Sequence, residues 1–96
     1  MSETDANIFC VRYAGARICV SRSAMRDLMK HGCDLYDTLK VLEEGKDSPR
    51  KRKRGVIEKW LARGKKTYEA IIASGYDEIT KEKVWKLIHF GRFAKK

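Results

Sequence analysis

His89, Arg63 and Arg92 are the residues of this chain whose types suit phosphoryl chemistry. Metal-independent RNA cleavage needs a base near the 2′-hydroxyl, cations on the phosphate and an acid for the leaving oxygen. An imidazole with an ordinary pKa near ~6.5 can supply either proton-transfer role. Arg63, Lys65, Lys66 and Arg92 can supply charge, and Glu58 or Tyr68 could assist. In strand register, however, His89 shares a face with Trp85 and Leu87. That spacing favours a packed histidine over a catalytic one.

The stronger signal is electrostatic. The chain carries a formal net charge of +9 from 22 Lys and Arg against 13 Asp and Glu. Ten of those cations lie between Lys46 and Lys66 beside only Asp47 and Glu58, so this window alone carries +8. The rest of the chain is close to neutral. Such concentration focuses field on one region and attracts a polyanion. Arg50, Lys51, Arg52, Lys53 and Arg54, with Lys65 and Lys66, are therefore the candidate nucleic-acid-binding residues, contacting phosphates rather than base edges. A solvated basic loop serving solubility is the bland alternative. Runner-up functions are a non-catalytic nucleic-acid-binding module and an interaction domain for an acidic protein.

Composition excludes other classes. With 96 residues there is room for one core. No apolar run approaches the ~20 residues of a membrane span, so no membrane partner is expected. The acidic start, Met1-Ser-Glu-Thr-Asp, is unlike a secretory signal, which points to a cytoplasmic protein. Cys10, Cys19 and Cys33 form neither a disulfide framework nor a metal-ligand spacing, and two histidines make a zinc site unexpected. No metal or cofactor is called for. Gly-rich phosphate loops, paired-carboxylate sites and Cys/His nucleophile arrangements are missing, so ATPase, protease and glycosidase readings have no support. Glutamine is absent and Asn7 is the only asparagine, a depletion that fits a prokaryote of hot environments.

The elements that must position these residues can be read in part. Asn7–Tyr13 and Ala16–Val20 flank Ala14-Gly15, a two-residue hairpin connection. Opposed residues then sum to 29, placing Cys10 across from reduced Cys19 and putting Phe9, Val11, Ile18 and Val20 on the core face. Ser21 or Ser23 can cap a helix running to about Lys30 and stopped by Gly32; Asp34 caps a second, ending at Gly45. Met25, Leu28, Leu35, Leu39 and Leu42 supply the apolar stripes. Lys46–Gly55 reads as a basic loop, because Pro49 removes a donor and adjacent like charges repel. Val56–Arg63, Thr67–Ser74 and Lys83–Phe90 read as strands, although the outer two also suit one helical face. Trp60 and Trp85 are expected in the core, each indole N–H needing a partner. Tyr68 and Tyr76 read as packing residues or turn anchors rather than base-stacking platforms.

Three stretches carry a resemblance: Ser21-Arg-Ser-Ala-Met-Arg-Asp-Leu-Met-Lys-His-Gly-Cys, Asp37-Thr-Leu-Lys-Val-Leu-Glu-Glu-Gly, and Glu58-Lys-Trp-Leu through Trp85-Lys-Leu-Ile-His-Phe-Gly. From about Ala16 to Phe93 the chain resembles small prokaryotic domains of unknown function related to the RelE/ParE-like toxins. Where members commonly carry a histidine before the alanine, this chain has Ser23. The resemblance implies RNA cleavage in complex with the ribosome, or neutralisation by an acidic antitoxin-like partner. The resulting expectation is an α+β domain over residues 7–93, between a disordered N-terminus (1–6) and a tail (94–96). It comprises an N-terminal β-hairpin, two short helices, a basic loop, then a three-stranded antiparallel sheet. Its oligomeric state is left open.

Overall fold

A computed structural model describes residues 11–49 and 53–94. Six strands and two helices follow one another as β1 (Arg12–Tyr13), β2 (Ala16–Val20), α1 (Arg22–Lys30), α2 (Leu35–Glu44), β3 (Lys46–Asp47), β4 (Val56–Arg63), β5 (Lys66–Asp77) and β6 (Glu82–Ala94). All six strands join one mixed sheet in the order β1-β2-β6-β5-β4-β3. The expected three-stranded sheet with a separate N-terminal hairpin is therefore wrong. β2 lies parallel to β6, Ile18 opposite Trp85 and Val20 opposite Leu87. Without that pairing, β6 would present Val84, Trp85 and Leu87 along an open edge, a template for aggregation. A two-stranded hairpin alone would also be marginal. A parallel partner more than sixty residues away leaves no local trace in the sequence, which is why local patterning points to a smaller sheet.

Local chemistry fixes the helices. Ser21 Oγ accepts from the Ala24 N–H at 3.1 Å at the start of α1. Asp34 and Asp37 exchange side-chain hydrogen bonds with each other's backbone N–H, both at 2.9 Å, forming a capping box at α2. Between β1 and β2, Ala14 and Gly15 have φ of 50° and 79°. Two successive positive values are what a hairpin turn of the type I′ kind requires. The described part of this hairpin has the expected register, Arg12 opposite Arg17. Cys10 and residues Asn7–Phe9 lie outside the described residues.

α1 packs on β6, while α2 reaches β4, β5 and β1. Between helices and sheet sit Ile18, Ala24, Leu28, Val41, Leu42, Ala70, Ile72, Leu87 and Phe90, all buried. Two details depart from the expected stripes. Met25 is 43% exposed, and Ala24 takes the inward position in its place. Leu35 and Leu39 are only partly buried against the core, whereas Thr38 and Val41 are buried. Lys46–Asp47, expected within the basic loop, pairs instead with Trp60 and Lys59 at the sheet edge, where Lys59 forms an ion pair with Asp47. β5 and β6 extend to Asp77 and Ala94, well past the expected ends.

One irregularity governs the site. Ile72 pairs with Leu87 but Ile71 pairs with His89, so Ile88 is an extra residue in β6. A bulge of this kind reverses the faces beyond it. Trp85 and Leu87 point to the core side before it; after it the inward residue is Phe90, which is fully buried. His89 consequently does not share a face with Trp85 and Leu87, as simple alternation predicts. Its side chain is 44% exposed.

Candidate functional site

The end of α1 and the start of α2 lie over the far end of the β4–β5 hairpin. A pocket of about 200 Å³ opens there, walled by His31, Cys33, Asp37, Lys40, Arg63 and Tyr68 around Val41, Leu61 and Phe90. Each group arrives from a different element. His31 is the C-cap of α1, its backbone N–H bonded to the carbonyls of Asp27 and Leu28 at 3.2 Å. Gly32 follows with a φ of 64°, turning the chain away and leaving the imidazole over β6. Lys40 comes from α2, Arg63 from the end of β4 and Tyr68 from β5. Phe90 forms the floor, its ring centroid 6.4 Å from that of His31 and 6.3 Å from that of Tyr68.

The electrostatics of the pocket suit an anion and a neutral base together. Burial holds the His31 pKa below its ordinary 6.5, and the nearby charges of Arg92 and Lys30 push it further down. At neutral pH the ring is therefore an uncharged imidazole with a free lone pair. Burial also pushes the Cys33 thiol up, aided by Asp37. A protonated thiol that donates to the His31 carbonyl at 3.5 Å is no nucleophile. Tyr68 adds a hydroxyl, and Arg92 stands opposite it in the sheet register.

His89 lies beside this pocket, not among its lining residues. Its Nδ1 is 3.3 Å from Asp27 Oδ2 and its Nε2 3.0 Å from Glu69 Oε1. Asp27 also meets the Phe90 N–H at 3.5 Å, at the limit for a hydrogen bond. Both nitrogens of His89 thus face carboxylates, so the ring bridges α1 to the sheet and has no lone pair aimed at a substrate. Close approach is possible because residue 91 is glycine: a Cβ there would sit 2.8 Å from Glu69 Oε1 and 3.0 Å from His89 Nε2.

The other expected residues divide between two places. Arg63 enters the pocket, Lys66 is its cross-strand partner and Lys65 occupies the exposed turn between them. Lys53 and Arg54 are exposed at the opposite end of β4, where the Val56 N–H bonds the Lys53 carbonyl at 3.0 Å. Arg50, Lys51 and Arg52 lie outside the described residues. Glu58 is 4% exposed and accepts from Trp60 Nε1 at 2.7 Å, which makes it a structural carboxylate. Trp60 itself is half-buried, edge-on to Phe93 with centroids 5.1 Å apart, rather than in the central core. Trp85 donates its indole N–H to the Tyr13 carbonyl at 2.9 Å.

His31 and Lys40 escaped the sequence reading. The signal available was the run Lys30-His31-Gly32, a histidine at the last turn of a helix with a glycine to swing it out. Nothing local indicated that Phe90 and Arg63 would meet it there. Among the described residues, no group of three or more His, Cys, Asp or Glu is arranged to hold a metal ion, and no helix is long and apolar enough to cross a membrane. No family model, curated protein or solved structure matches the chain.

Proposed function

We propose that this protein is an RNA-directed, RelE-like domain that cleaves a single RNA strand at the His31 pocket without a metal ion. The observation that carries this reading is an imidazole kept neutral by burial and neighbouring cations inside a pocket that also holds Lys40, Arg63 and Tyr68. His31 would take the proton of a ribose 2′-hydroxyl. The 2′-oxygen then bonds to phosphorus as the bond to the 5′-oxygen breaks, leaving a 2′,3′-cyclic phosphate and a 5′-hydroxyl. Tyr68 would return a proton to the departing oxygen, and Lys40 and Arg63 would hold the non-bridging oxygens as their charge grows. This assigns the base to His31 rather than to His89. A pocket of about 200 Å³ is below the ~300–1,000 Å³ of ordinary small-molecule sites. It suits a phosphate with its ribose, the flanking bases lying outside. An acidic protein partner of the kind the resemblance implies would meet the same cations and compete with RNA.

The test is cleavage of a fluorescent oligoribonucleotide in excess EDTA. His31→Ala should reduce the rate by about 10²–10⁴-fold, the usual contribution of a general base. Arg63→Gln should weaken binding as well as turnover. Equal activity in wild type and His31→Ala would refute the assignment of the base. An inactive wild type would refute cleavage altogether.

A further inference from the structure

α1 has a charged face that the pocket does not use. Ala24 and Leu28 are buried against the sheet, while the opposite side of the helix is exposed. At about 3.6 residues per turn, Arg22, Arg26 and Lys30 form one row along that exposed side. With a rise of ~1.5 Å per residue, neighbours in the row stand about 6 Å apart along the helix axis. Met25 and Met29 flank the row, 43% and 74% exposed. The carboxylate of the helix, Asp27, is turned to the side, where it meets His89 Nδ1 and the Phe90 N–H. The outward arc of α1 therefore presents cations that no acid of the helix offsets. The row also ends at the pocket. Lys30 directly precedes His31, and its charge is among those felt by the His31 ring.

We propose that the outer face of α1 carries the RNA strand leading away from the pocket, with Lys30, Arg26 and Arg22 each holding a phosphate. This rests on the reading of the His31 pocket as the place of the scissile phosphate. The exposed thioethers of Met25 and Met29 give the bases a polarizable surface to lie on. Two features favour RNA over an acidic protein. Evenly spaced cations on a rigid helix suit a regularly spaced polyanion, and the row runs into the pocket where the same strand is held. Phosphate contacts of this kind fix the strand without reading its sequence. A trimer reaches the pocket and Lys30; a longer strand reaches Arg26 and Arg22 as well.

The experiment is fluorescence anisotropy with oligoadenylates of three and twelve nucleotides, made with 2′-O-methyl riboses so that none is cleaved. A labelled oligoglutamate of twelve residues is the third probe. Wild type is compared with the double variant Arg22→Gln/Arg26→Gln and with Arg63→Gln over a range of salt. The double variant should bind the trimer as wild type does. On the dodecamer it should lose roughly 1.4 units of log–log salt slope, about 0.7 for each lost single-strand phosphate contact. An unchanged slope on the dodecamer, or equal loss on trimer and dodecamer, would overturn α1 as the path. Loss of oligoglutamate binding alone would overturn it too, in favour of an acidic protein partner. Arg63→Gln should weaken both RNA oligomers and reports on the pocket separately: unchanged trimer binding there would sink the pocket reading, while the dodecamer slope still reads α1. A wild type that binds neither RNA would overturn both proposals together.

Discussion

The bulge at Ile88 decides which of two neighbours, His89 or Phe90, faces the core, and their replacement by alanine tests it. In a regular strand His89 would lie inward with Leu87, and Phe90 would lie outward. In the bulged strand Phe90 is fully buried and His89 is 44% exposed. Removing a buried phenylalanine costs about 3–5 kcal/mol in lost transfer energy and cavity formation. A domain of 96 residues has a total stability of roughly 5–14 kcal/mol, at about 0.05–0.15 kcal/mol per residue. Phe90→Ala should therefore remove a large share of it. At ~4–8 °C per kcal/mol for this size, the melting temperature should fall by more than about 12 °C. His89→Ala removes contacts to Asp27 and Glu69 that are partly open to solvent, and should cost about 1 kcal/mol or less.

Urea denaturation followed by far-UV circular dichroism gives both numbers from the same preparation. A costly His89→Ala with a mild Phe90→Ala would refute the bulge and return His89 to the core. Both mild would mean that β6 does not pack under α1 at all. The conservative Phe90→Leu variant, which keeps most of the volume but removes the ring contacts to His31 and Tyr68, should remain folded. Its RNA cleavage should nevertheless fall, since the pocket floor has changed.

Other outcomes follow from single observations. The folded pKa of His31 lies below 6.5, the value of the free side chain, so above that pH neither state carries a proton and stability is unaffected. As pH drops below 6.5 the unfolded chain protonates first, and stability is lost until the folded ring titrates too. His31→Gln should show a smaller loss of urea midpoint across that window than wild type; parallel curves would contradict the shift. Gly91→Ala should displace the Glu69 carboxylate from His89, seen as a change in the His89 ring signals by NMR with the fold intact. Unchanged signals would show that the Cβ finds room elsewhere. Asp34→Ala removes half of the capping box and should destabilise by about 0.5–2 kcal/mol; no change in the denaturation midpoint would mean that α2 is held by packing alone.

What the sequence revealed and what it hid follow from how far apart the interacting residues are. Ser21, Gly32, Asp34 and Gly45 mark the ends of α1 and α2 because caps and stops act within four residues. Ala14-Gly15 sets the β1–β2 register for the same reason. The strand ranges after Gly55 were also legible at their centres, since β-branched and aromatic residues recur there. By contrast, the parallel pairing of β2 with β6 joins residues that share no local pattern. The bulge at Ile88 was hidden too, because Leu87-Ile88-His89-Phe90 alternates acceptably in either register. Met25 was misplaced for a simpler reason: a small Ala24 at the close contact with the sheet outranks a larger apolar neighbour when the helix packs tightly.

The charge window shows the same limit in functional terms. Ten cations between Lys46 and Lys66 look in one dimension like a single basic segment. In the folded chain β4 carries its two ends about 23 Å apart, so Lys53 and Arg54 beyond one end and Arg63, Lys65 and Lys66 at the other cannot grip the same phosphate. Meanwhile Lys40 and Arg92, which lie outside the window and add nothing to its charge, come to the His31 region through α2 and β6. Sequence density of charge thus suggests a class of ligand without saying where on the protein it would be held. The position depends on the parallel crossover that carries α1 and α2 over the sheet, and on the bulge that turns Phe90 inward beneath His31. A site made this way should be sensitive to small changes in β6, even at residues that never touch a substrate. Inserting one alanine between Ile88 and His89 would shift the alternation of β6 by one residue, turn Phe90 outward and move Arg92 to the opposite face. The pocket should then lose both its floor and the cation beside His31, and cleavage should be abolished even if the lengthened strand still pairs with β5. Deleting Ile88 instead removes the extra residue and leaves Phe90 opposite Ala70, so that variant should keep its pocket. Retained activity in the insertion variant would place the chemistry somewhere other than the His31 pocket.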